Sequence, residues 1–322
     1  EAARQTSADA SSPEAGPESG SPAADAGVDA AAPDAGNAPS YCTSETPSSA
    51  PSGAGFAVTT THYDLYAETS EPLAIELARL LEASSGAFTA WFERPPPAGR
   101  SRVKLYKDTN AWKAGLAADG ISAPPEAGGT YIPATKTAYL FVQGNPYYTR
   151  VLVLHEATHQ YHFLTRVAAG SPPFWYGEGH AEYLARHDWD GSCVRLGVIP
   201  IMSWEDIPAA AKAEGSVDYG AIVGGQSQGT RADAWAMFRY LDTGSKKAAF
   251  KAYRDAMDAN KSPSFDALVV PASSLGASIG AWLPSAQEPM HPVFTEWTHV
   301  GPGAVDVDTP GVFSVEIGRA HV

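Results

Sequence analysis

The sequence predicts an α+β fold, in which a small mixed β-sheet with packed helices is followed by a mainly helical half. Two observations support this prediction. Between residues 56 and 147, short segments rich in Val, Thr and Tyr alternate with segments whose apolar residues have helical spacing. From residue 148 onward the apolar residues recur mostly at helical spacing, which is typical of helices packed on one another.

The first 55 residues differ in composition from the rest of the chain. They consist almost wholly of Ala, Ser, Pro, Gly, Asp and Glu, and before Tyr41 the only large aliphatic residue is Val28. Such a segment cannot bury enough apolar surface to offset the entropy of ordering, so we predict a disordered tether at 1–55. The body then divides into a mixed α/β part at 56–147 and a helical part at 148–308.

Individual elements of the body follow from local patterns. A strand is predicted at 57–66, where Thr, Tyr and Val predominate, and a helix at 71–93, with Ser70 as N-cap and Pro72 in the first turn. By the same criteria, further strands are predicted at 102–106, 129–132 and 138–142, and further helices at 109–118, 149–168, 174–187, 231–241 and 246–258.

The charge of the chain limits its partners. The formal net charge is −14, with only 22 Lys and Arg residues. A strongly acidic body repels phosphate backbones, so we expect no nucleic-acid partner. No run of 18 or more apolar residues occurs, so we expect no transmembrane segment.

The termini and cysteines suggest an exported protein. The chain begins with Glu1, and its Ala/Pro/Asp-rich tether resembles those that space bacterial lipoproteins from a lipid anchor. We therefore expect an extracytoplasmic location, either secreted or anchored through a segment upstream of Glu1. Cys42 and Cys193 either pair in an oxidising compartment or remain free thiols. The final residues, 316–322, resemble the translation of a sequencing adapter, so His321 is excluded from any site.

The motif HEATH at residues 155–159 is the main candidate for chemistry, and it follows an apolar run at 151–154. Residues four apart lie on one face of a helix, so His155 and His159 can direct both imidazoles at one ion. Glu156 can then reach a water at the metal without being a ligand, which makes it the candidate catalytic base. The alternative is an amphipathic helix with two surface histidines.

A candidate third ligand, Glu178, lies beyond a spacer of 18 residues that follows His159. Gly170 and a pair of prolines in the spacer predict the end of one helix and the start of another. A second helix running antiparallel would return Glu178 to the histidines. Three protein ligands and one open position are typical of catalytic zinc, so one zinc ion held by His155, His159 and Glu178 is the predicted cofactor.

HEATH, the 18-residue spacer and the segment WYGEGHA around Glu178 resemble the gluzincin metallopeptidases, the thermolysin and aminopeptidase N superfamily. The resemblance covers residues 151–184 and is greatest to a small bacterial branch with the patterns L-H-E-x-T-H-Q and W-x-x-E-G-x-A-E-Y. It implies a zincin catalytic half that hydrolyses peptide bonds. Two features depart from the family: His180 replaces an apolar residue, and the G-x-M-E-N signature of exopeptidases is absent upstream.

The resemblance also implies residues that support the ligands. Glu182, four residues after Glu178, is the candidate for a hydrogen bond to a ligand histidine, and its alternative is a solvated surface glutamate. His162, nearly one turn after His159, is predicted to lie at the surface or behind the ligands and not to bind the metal.

Gluzincins stabilise the tetrahedral oxyanion with a Tyr or His and bind extended peptides at a strand edge. Tyr240 is the candidate catalytic residue for the first role, with Tyr219 and His187 as alternatives, and simple packing is the competing interpretation for each. The strand at 129–132 or that at 138–142 is the candidate edge for substrate.

The predicted function is a zinc-dependent peptidase, in particular an endopeptidase, acting on peptides or proteins through a metal-activated water. One alternative is a catalytically silent binding or scaffold protein of the cell envelope, which the intact Glu156 disfavours. Another is a zinc hydrolase of a non-peptide or cell-wall amide, because a metal centre can polarise any amide.

Overall fold

The described part of the chain, residues 39–122, 128–198 and 212–286 of a computed structural model, contains two β-sheets and a set of α-helices. The strands are β1 (Tyr41–Cys42), β2 (Ser48–Ser52), β3 (Gly55–Thr59), β4 (Tyr63–Ala67), β5 (Ser101–Tyr106), β6 (Gly129–Ile132), β7 (Thr137–Phe141), β8 (His187–Trp189) and β9 (Cys193–Leu196). The helices are α1 (Glu71–Phe92), α2 (Thr109–Ala118), α3 (Pro146–Thr165), α4 (Phe174–Ala185), α5 (Tyr219–Val223), α6 (Arg231–Leu241), α7 (Lys247–Asp258), α8 (Phe265–Leu268) and α9 (Leu275–Trp282). The predicted α+β fold is confirmed.

The larger sheet is mixed and has the strand order β2-β3-β4-β5-β7-β6. Strands β4, β5 and β7 are parallel, and the others pair antiparallel with their neighbours. Parallel neighbours need a crossover connection, which α1 supplies between β4 and β5 and α2 supplies between β5 and the β6–β7 hairpin. Strand β6 is consequently left at one edge of the sheet, and its hairpin partner β7 leads into α3.

Side chains on the two faces of this sheet belong to separate apolar clusters. Val103 and Leu105 of β5 join the main core with residues of α1 and α3, whereas Tyr139 of β7 packs with Trp112 and Leu116 of α2. This division follows from the alternation of side chains along a strand. Helices α1 and α3 therefore cover one face of the sheet, and α2 covers the other.

Helix α3 is tied to the sheet by a buried amide. Gln160, which is fully buried, donates from Nε2 to the backbone oxygens of Arg102 and Lys136, both at 3.0 Å. Arg102 is the second residue of β5, and Lys136 directly precedes β7. On the side of α3 that faces away from the sheet, α4 packs against α3, and α6 packs against α4. Helix α3 therefore lies between the sheet and these helices.

The second sheet has the strand order β1-β9-β8 and is closed by a disulfide. Cys42 and Cys193 occupy directly opposed positions of β1 and β9 and are bonded to one another. Of the two alternatives that the sequence left open for these cysteines, the structure has the disulfide.

The tether predicted at 1–55 is too long. Residues 41–42 and 48–52 are strands of the two sheets, and residues 1–38 lie outside the described residues. The sequence of β2, SSAPS, has almost no apolar residues, and β2 is the edge strand opposite β6. Pro51 is tolerated there because an edge strand has one side without ladder hydrogen bonds. The segment is held by backbone pairing with β3, which composition does not reveal.

Three other predicted boundaries are also wrong. The helix predicted at 149–168 spans Pro146–Thr165. The strand predicted at 57–66 is divided by a turn in which the Tyr63 backbone N–H donates to the Thr60 hydroxyl. The helix predicted at 174–187 ends at Ala185, because His187–Trp189 pairs with β9 instead. Strands β8 and β9 and helices α5, α8 and α9 were not predicted. Within the described residues, no helix is both long and apolar enough to cross a membrane, and residues 287–322 lie outside that part.

Candidate metal centre

Helix α3 places the two histidines of HEATH side by side. Its start is capped by Asn145, whose side chain accepts a hydrogen bond from the Tyr148 N–H, and Pro146 follows in the first turn. His155 and His159 lie one turn apart, with ring centres 4.8 Å apart and planes nearly perpendicular. Both imidazoles therefore face the same point on one side of α3, as the spacing predicted.

Glu178 on α4 completes the group. One carboxylate oxygen lies 3.4 Å from His155 Nε2, and the other lies 3.4 Å from His159 Nε2. One ligand atom from each residue can be chosen so that all three lie within 4.8 Å of one another. The predicted return of the second helix is confirmed, and the three residues form a group that could hold a metal ion.

Two buried atoms of this group fit a bound cation. His155 Nε2 and Glu178 Oε2 are buried and have no hydrogen-bond partner among the described residues, although Glu178 Oε2 forms an ion pair with Arg231. Buried polar atoms without partners are rare in folded proteins and call for an explanation such as an ion. Two imidazole nitrogens and a carboxylate oxygen are donors that divalent transition metals accept. The residues present therefore fit a metal ion.

The electrostatics of the group also favour a positive charge. Burial alone lowers the pKa of His155, but the carboxylates of Glu178 and Glu182 outweigh burial and raise this pKa to about 10. Burial raises the pKa of Glu178, but the two imidazoles hold it far below its usual value. Carboxylates thus dominate the potential where the three side chains meet, and a cation would be stabilised there.

Glu182 lies behind His155, in the supporting position that the sequence predicted. Its Oε1 is 3.2 Å from His155 Nδ1, and its Oε2 accepts a hydrogen bond from Arg186 Nη2 at 3.0 Å. The imidazole of His155 thereby has one nitrogen towards the group and the other towards a carboxylate. Such outer partners fix the orientation of a ligand histidine.

The side chain of Glu156, on α3, lies next to the edge strand β6. Its side chain is buried, and its Oε1 is 4.0 Å from His155 Nε2. A Cβ added to Gly129, the first residue of β6, would lie 3.1 Å from Glu156 Cγ and 3.2 Å from Oε1. The absence of a side chain at Gly129 therefore leaves the space that the Glu156 carboxylate occupies.

Tyr240, the predicted oxyanion-stabilising residue, has ring contacts with residues outside the group. Its ring packs against Trp282 at 5.4 Å and under the Lys246 ammonium at 4.6 Å. Arg231, nine residues earlier on α6, forms an ion pair with Glu178 at 3.0 Å. Nine residues of helix correspond to about 13 Å along the axis, which carries Tyr240 away from the ligands.

The alternatives to Tyr240 also have other partners. The Tyr219 hydroxyl donates to Glu214 at 2.6 Å, and the His187 ring stacks on Tyr147 at 4.9 Å. His162 is not at the surface: it is fully buried, and its Nε2 lies 2.8 Å from Asp258 Oδ1. None of these three side chains is placed at the group of ligands.

Two residues near the group were not predicted from the sequence. Arg231 Nε lies 3.0 Å from Glu178 Oε2, without the angle of a hydrogen bond, and about half of its side chain is exposed. Arg231 is the first residue of α6, where a positive side chain is unfavourable because the start of a helix carries a partial positive charge. This was a weak indication that an acidic residue lies close to it. Gly129 gave no signal, because its closeness to Glu156 depends on how β6 packs on α3.

The fold and the site together define an α+β protein with a His–Glu group that could hold a metal ion. Compared with models of known protein families, the chain matches none. A comparison with curated proteins likewise finds no match. The likeness to gluzincins therefore rests on the motif residues themselves, and the activity that it implies is a proposal.

Proposed function

We propose that this protein is a zinc-dependent peptidase, in particular an endopeptidase. The observation that carries the proposal is the convergence of His155, His159 and Glu178, whose ligand atoms lie within 4.8 Å, with Glu156 beside them. Two His and one Glu form a ligand set of catalytic zinc, which leaves a position for water or substrate. A structural zinc site would have four protein ligands.

The roles of the protein side chains follow from their positions. Zinc, when bound, polarises a carbonyl oxygen and lowers the pKa of water to about 7. Glu156 accepts the proton of the attacking water and transfers it to the leaving amine, as a general base and then a general acid. Glu182 holds the His155 ring through Nδ1, and Arg186 holds Glu182 in turn.

The edge strand β6 supports an extended peptide as substrate. It pairs with β7 on one side only, and among the described residues no strand pairs with its other side. An extended peptide can add to such an edge through main-chain hydrogen bonds. Because Gly129 of β6 lies against Glu156, a peptide on this edge would pass close to the proposed base.

An extracytoplasmic location is part of the proposal. The disulfide between Cys42 and Cys193 is of the kind that persists in oxidising compartments. Fractionation of the native host, with the protein detected by antibody, tests the location. Recovery with the cytoplasmic fraction would contradict it.

Glu156→Gln is expected to abolish peptide hydrolysis while zinc binding persists. The amide keeps the shape of the side chain but cannot accept the proton, and we expect kcat to fall by roughly 1000-fold or more, within the range of general-base catalysis. Cleavage of a labelled peptide library by wild type and variant measures the effect, and metal analysis confirms one zinc in each. A wild-type protein that binds zinc and cleaves nothing would favour a binding or scaffold protein.

Gly129→Ala is expected to lower kcat by roughly tenfold, because small misplacements of a catalytic group are costly. The added methyl group would lie 3.1 Å from both Glu156 Cγ and Leu140 Cδ2, and it would press on the Glu156 carboxylate, whose Oε1 is 3.2 Å away. Gly128→Ala is the matched control, since a Cβ there meets Leu152 and Gln143 at ordinary distances of 3.6–3.8 Å. Equal kcat values for the two variants would show that Gly129 does not position Glu156.

A further inference from the structure

Three side chains form a patch where α3 and β6 meet, beyond the proposed active site. They are Tyr131 of β6, Phe163 of α3 and Arg166, the residue directly after α3, and we call them the Arg166 patch. The ring centres of Tyr131 and Phe163 are 5.7 Å apart. The guanidinium carbon of Arg166 lies over the Phe163 ring, 4.2 Å from its centre. The three side chains are therefore in contact one after another.

The Arg166 patch follows the candidate metal centre on both elements. Phe163 lies four residues after His159 and seven after Glu156, so helical periodicity puts the three on one side of α3. On β6, Gly129 lies against Glu156. Tyr131 comes two residues after Gly129 and lies against Phe163, so these two positions of β6 both face α3.

Arg166 is a cation without a partner anion. Among the described residues, its guanidinium makes no hydrogen bond and no ion pair, and its nitrogens are open to solvent. Asp258 is close enough to raise the pKa of Arg166, but burial outweighs it and lowers that pKa. The Asp258 carboxylate itself is engaged by His162 at 2.8 Å and Arg94 at 2.9 Å. A partly desolvated positive charge therefore remains for an anion from outside.

A peptide on the edge of β6 would direct every second side chain towards α3. Side chains alternate along a strand, and residues directly opposed on neighbouring strands have their side chains on the same face. A substrate residue opposite Gly129 would therefore face Glu156. The residue two positions along the peptide, opposite Tyr131, would face the Arg166 patch.

We propose that Arg166 is a specificity-determining residue that binds an acidic side chain, Asp or Glu, of the peptide substrate. The Phe163 ring supports one face of the guanidinium through a cation–π contact. The N–H groups at the edge of the guanidinium can then bind a carboxylate through two hydrogen bonds. An aromatic substrate side chain is disfavoured, because Arg166 already covers the Phe163 ring. This inference rests on the proposed function, since it takes β6 as the edge that binds substrate.

Paired peptides test the specificity of the full chain. Labelled decapeptides of otherwise neutral sequence carry one Glu, moved position by position, and each has a matched peptide with Gln at the same position. At one position we expect kcat/KM to be roughly fivefold higher for Glu than for Gln, the upper end of the effect of an exposed ion pair. Added salt should reduce this preference. No preference for Glu at any position would overturn the proposal.

Substitution of Arg166 tests whether this residue causes the preference. Arg166→Gln should bring the ratio of the two kcat/KM values to about one. Arg166→Glu should favour Lys over Gln at the same position, a reversal that partial unfolding could not produce. Lys113→Gln is the matched control, because it removes a positive charge from an exposed side chain of α2, on the other face of the sheet. A preference that survives Arg166→Gln, or that Lys113→Gln reduces equally, would show that Arg166 is not its source.

Binding without cleavage separates this inference from the proposed function. Fluorescence anisotropy gives the Kd of each labelled peptide for Glu156→Gln, and we expect it to be roughly fivefold lower for the preferred Glu peptide than for its Gln partner. If the wild type cleaves no peptide, the proposed function fails, while this difference in Kd still supports the role of Arg166. If peptides are cleaved but Glu and Gln peptides bind equally, only the role of Arg166 fails. If no peptide binds or is cleaved, both fail.

Discussion

Glu178→Ala is expected to weaken zinc binding by roughly 1000-fold or more, well beyond the 10–100-fold that is typical when an outer partner is removed. Glu178 is the only one of the three candidate ligands that comes from α4, and its two oxygens each lie 3.4 Å from a histidine nitrogen. Without it, two imidazole donors remain on α3, and the negative charge that favours a cation is reduced. Competition with a chromogenic chelator measures the change in Kd.

Two further variants make this result specific. Glu182→Gln keeps the ligands and loses the charge behind His155, so we expect a loss of about 10–100-fold. Glu93→Ala makes the same substitution at an exposed glutamate that pairs with Lys251, and we expect the zinc Kd to stay unchanged. Zinc should raise the Tm of the wild type, because a ligand that binds the folded state stabilises it, but should not raise that of Glu178→Ala. Undiminished zinc content in Glu178→Ala would remove Glu178 from the ligand set.

Replacing both Cys42 and Cys193 by Ser is expected to lower the free energy of unfolding by roughly 5 kcal/mol, mainly by relaxing a constraint on the unfolded chain. The two cysteines are 151 residues apart in sequence, so the disulfide closes a long loop. For a domain of this size, the change corresponds to a fall in Tm of roughly 10 °C or more. Urea denaturation followed by circular dichroism measures it.

Reduction provides the control for the disulfide prediction. A reductant should lower the stability of the wild type to about that of the double Ser variant, and it should leave the variant itself unchanged. A loss below about 1 kcal/mol in the double variant would show that pairing of β1 with β9 is maintained by other contacts.

The candidate ligands could be predicted because their placement depends on regular local geometry. Four residues separate His155 from His159, and helical periodicity alone directs them to one face. The return of Glu178 needed only a break between two helices, which Gly170 and the adjacent prolines provided. The same periodicity puts Glu182 on the face of α4 that carries Glu178, and the resemblance to gluzincins implied its supporting role. These relations involve residues close in sequence, where backbone geometry limits the alternatives.

The surroundings of Tyr240 could not be predicted, for the opposite reason. Tyr240 lies on a helix, as predicted. Which side of α6 meets α4, however, is decided by packing between elements that are distant in sequence. The structure places Arg231 next to Glu178 and leaves Tyr240 against Trp282. Spacing along one helix therefore could not identify the residue that approaches a ligand on another.

The sequence by itself determined the α+β class, most of the helices and the set of three candidate ligands with Glu156 beside them. Tertiary structure alone decided that β2 joins the sheet, that Gly129 makes room for Glu156, and that Phe163 meets Tyr131. Helical periodicity relates residues that are only three or four positions apart, so the spacing of apolar and functional residues in the sequence shows it directly. Contacts between separate elements depend on how whole surfaces pack, and no local pattern encodes which two side chains will meet.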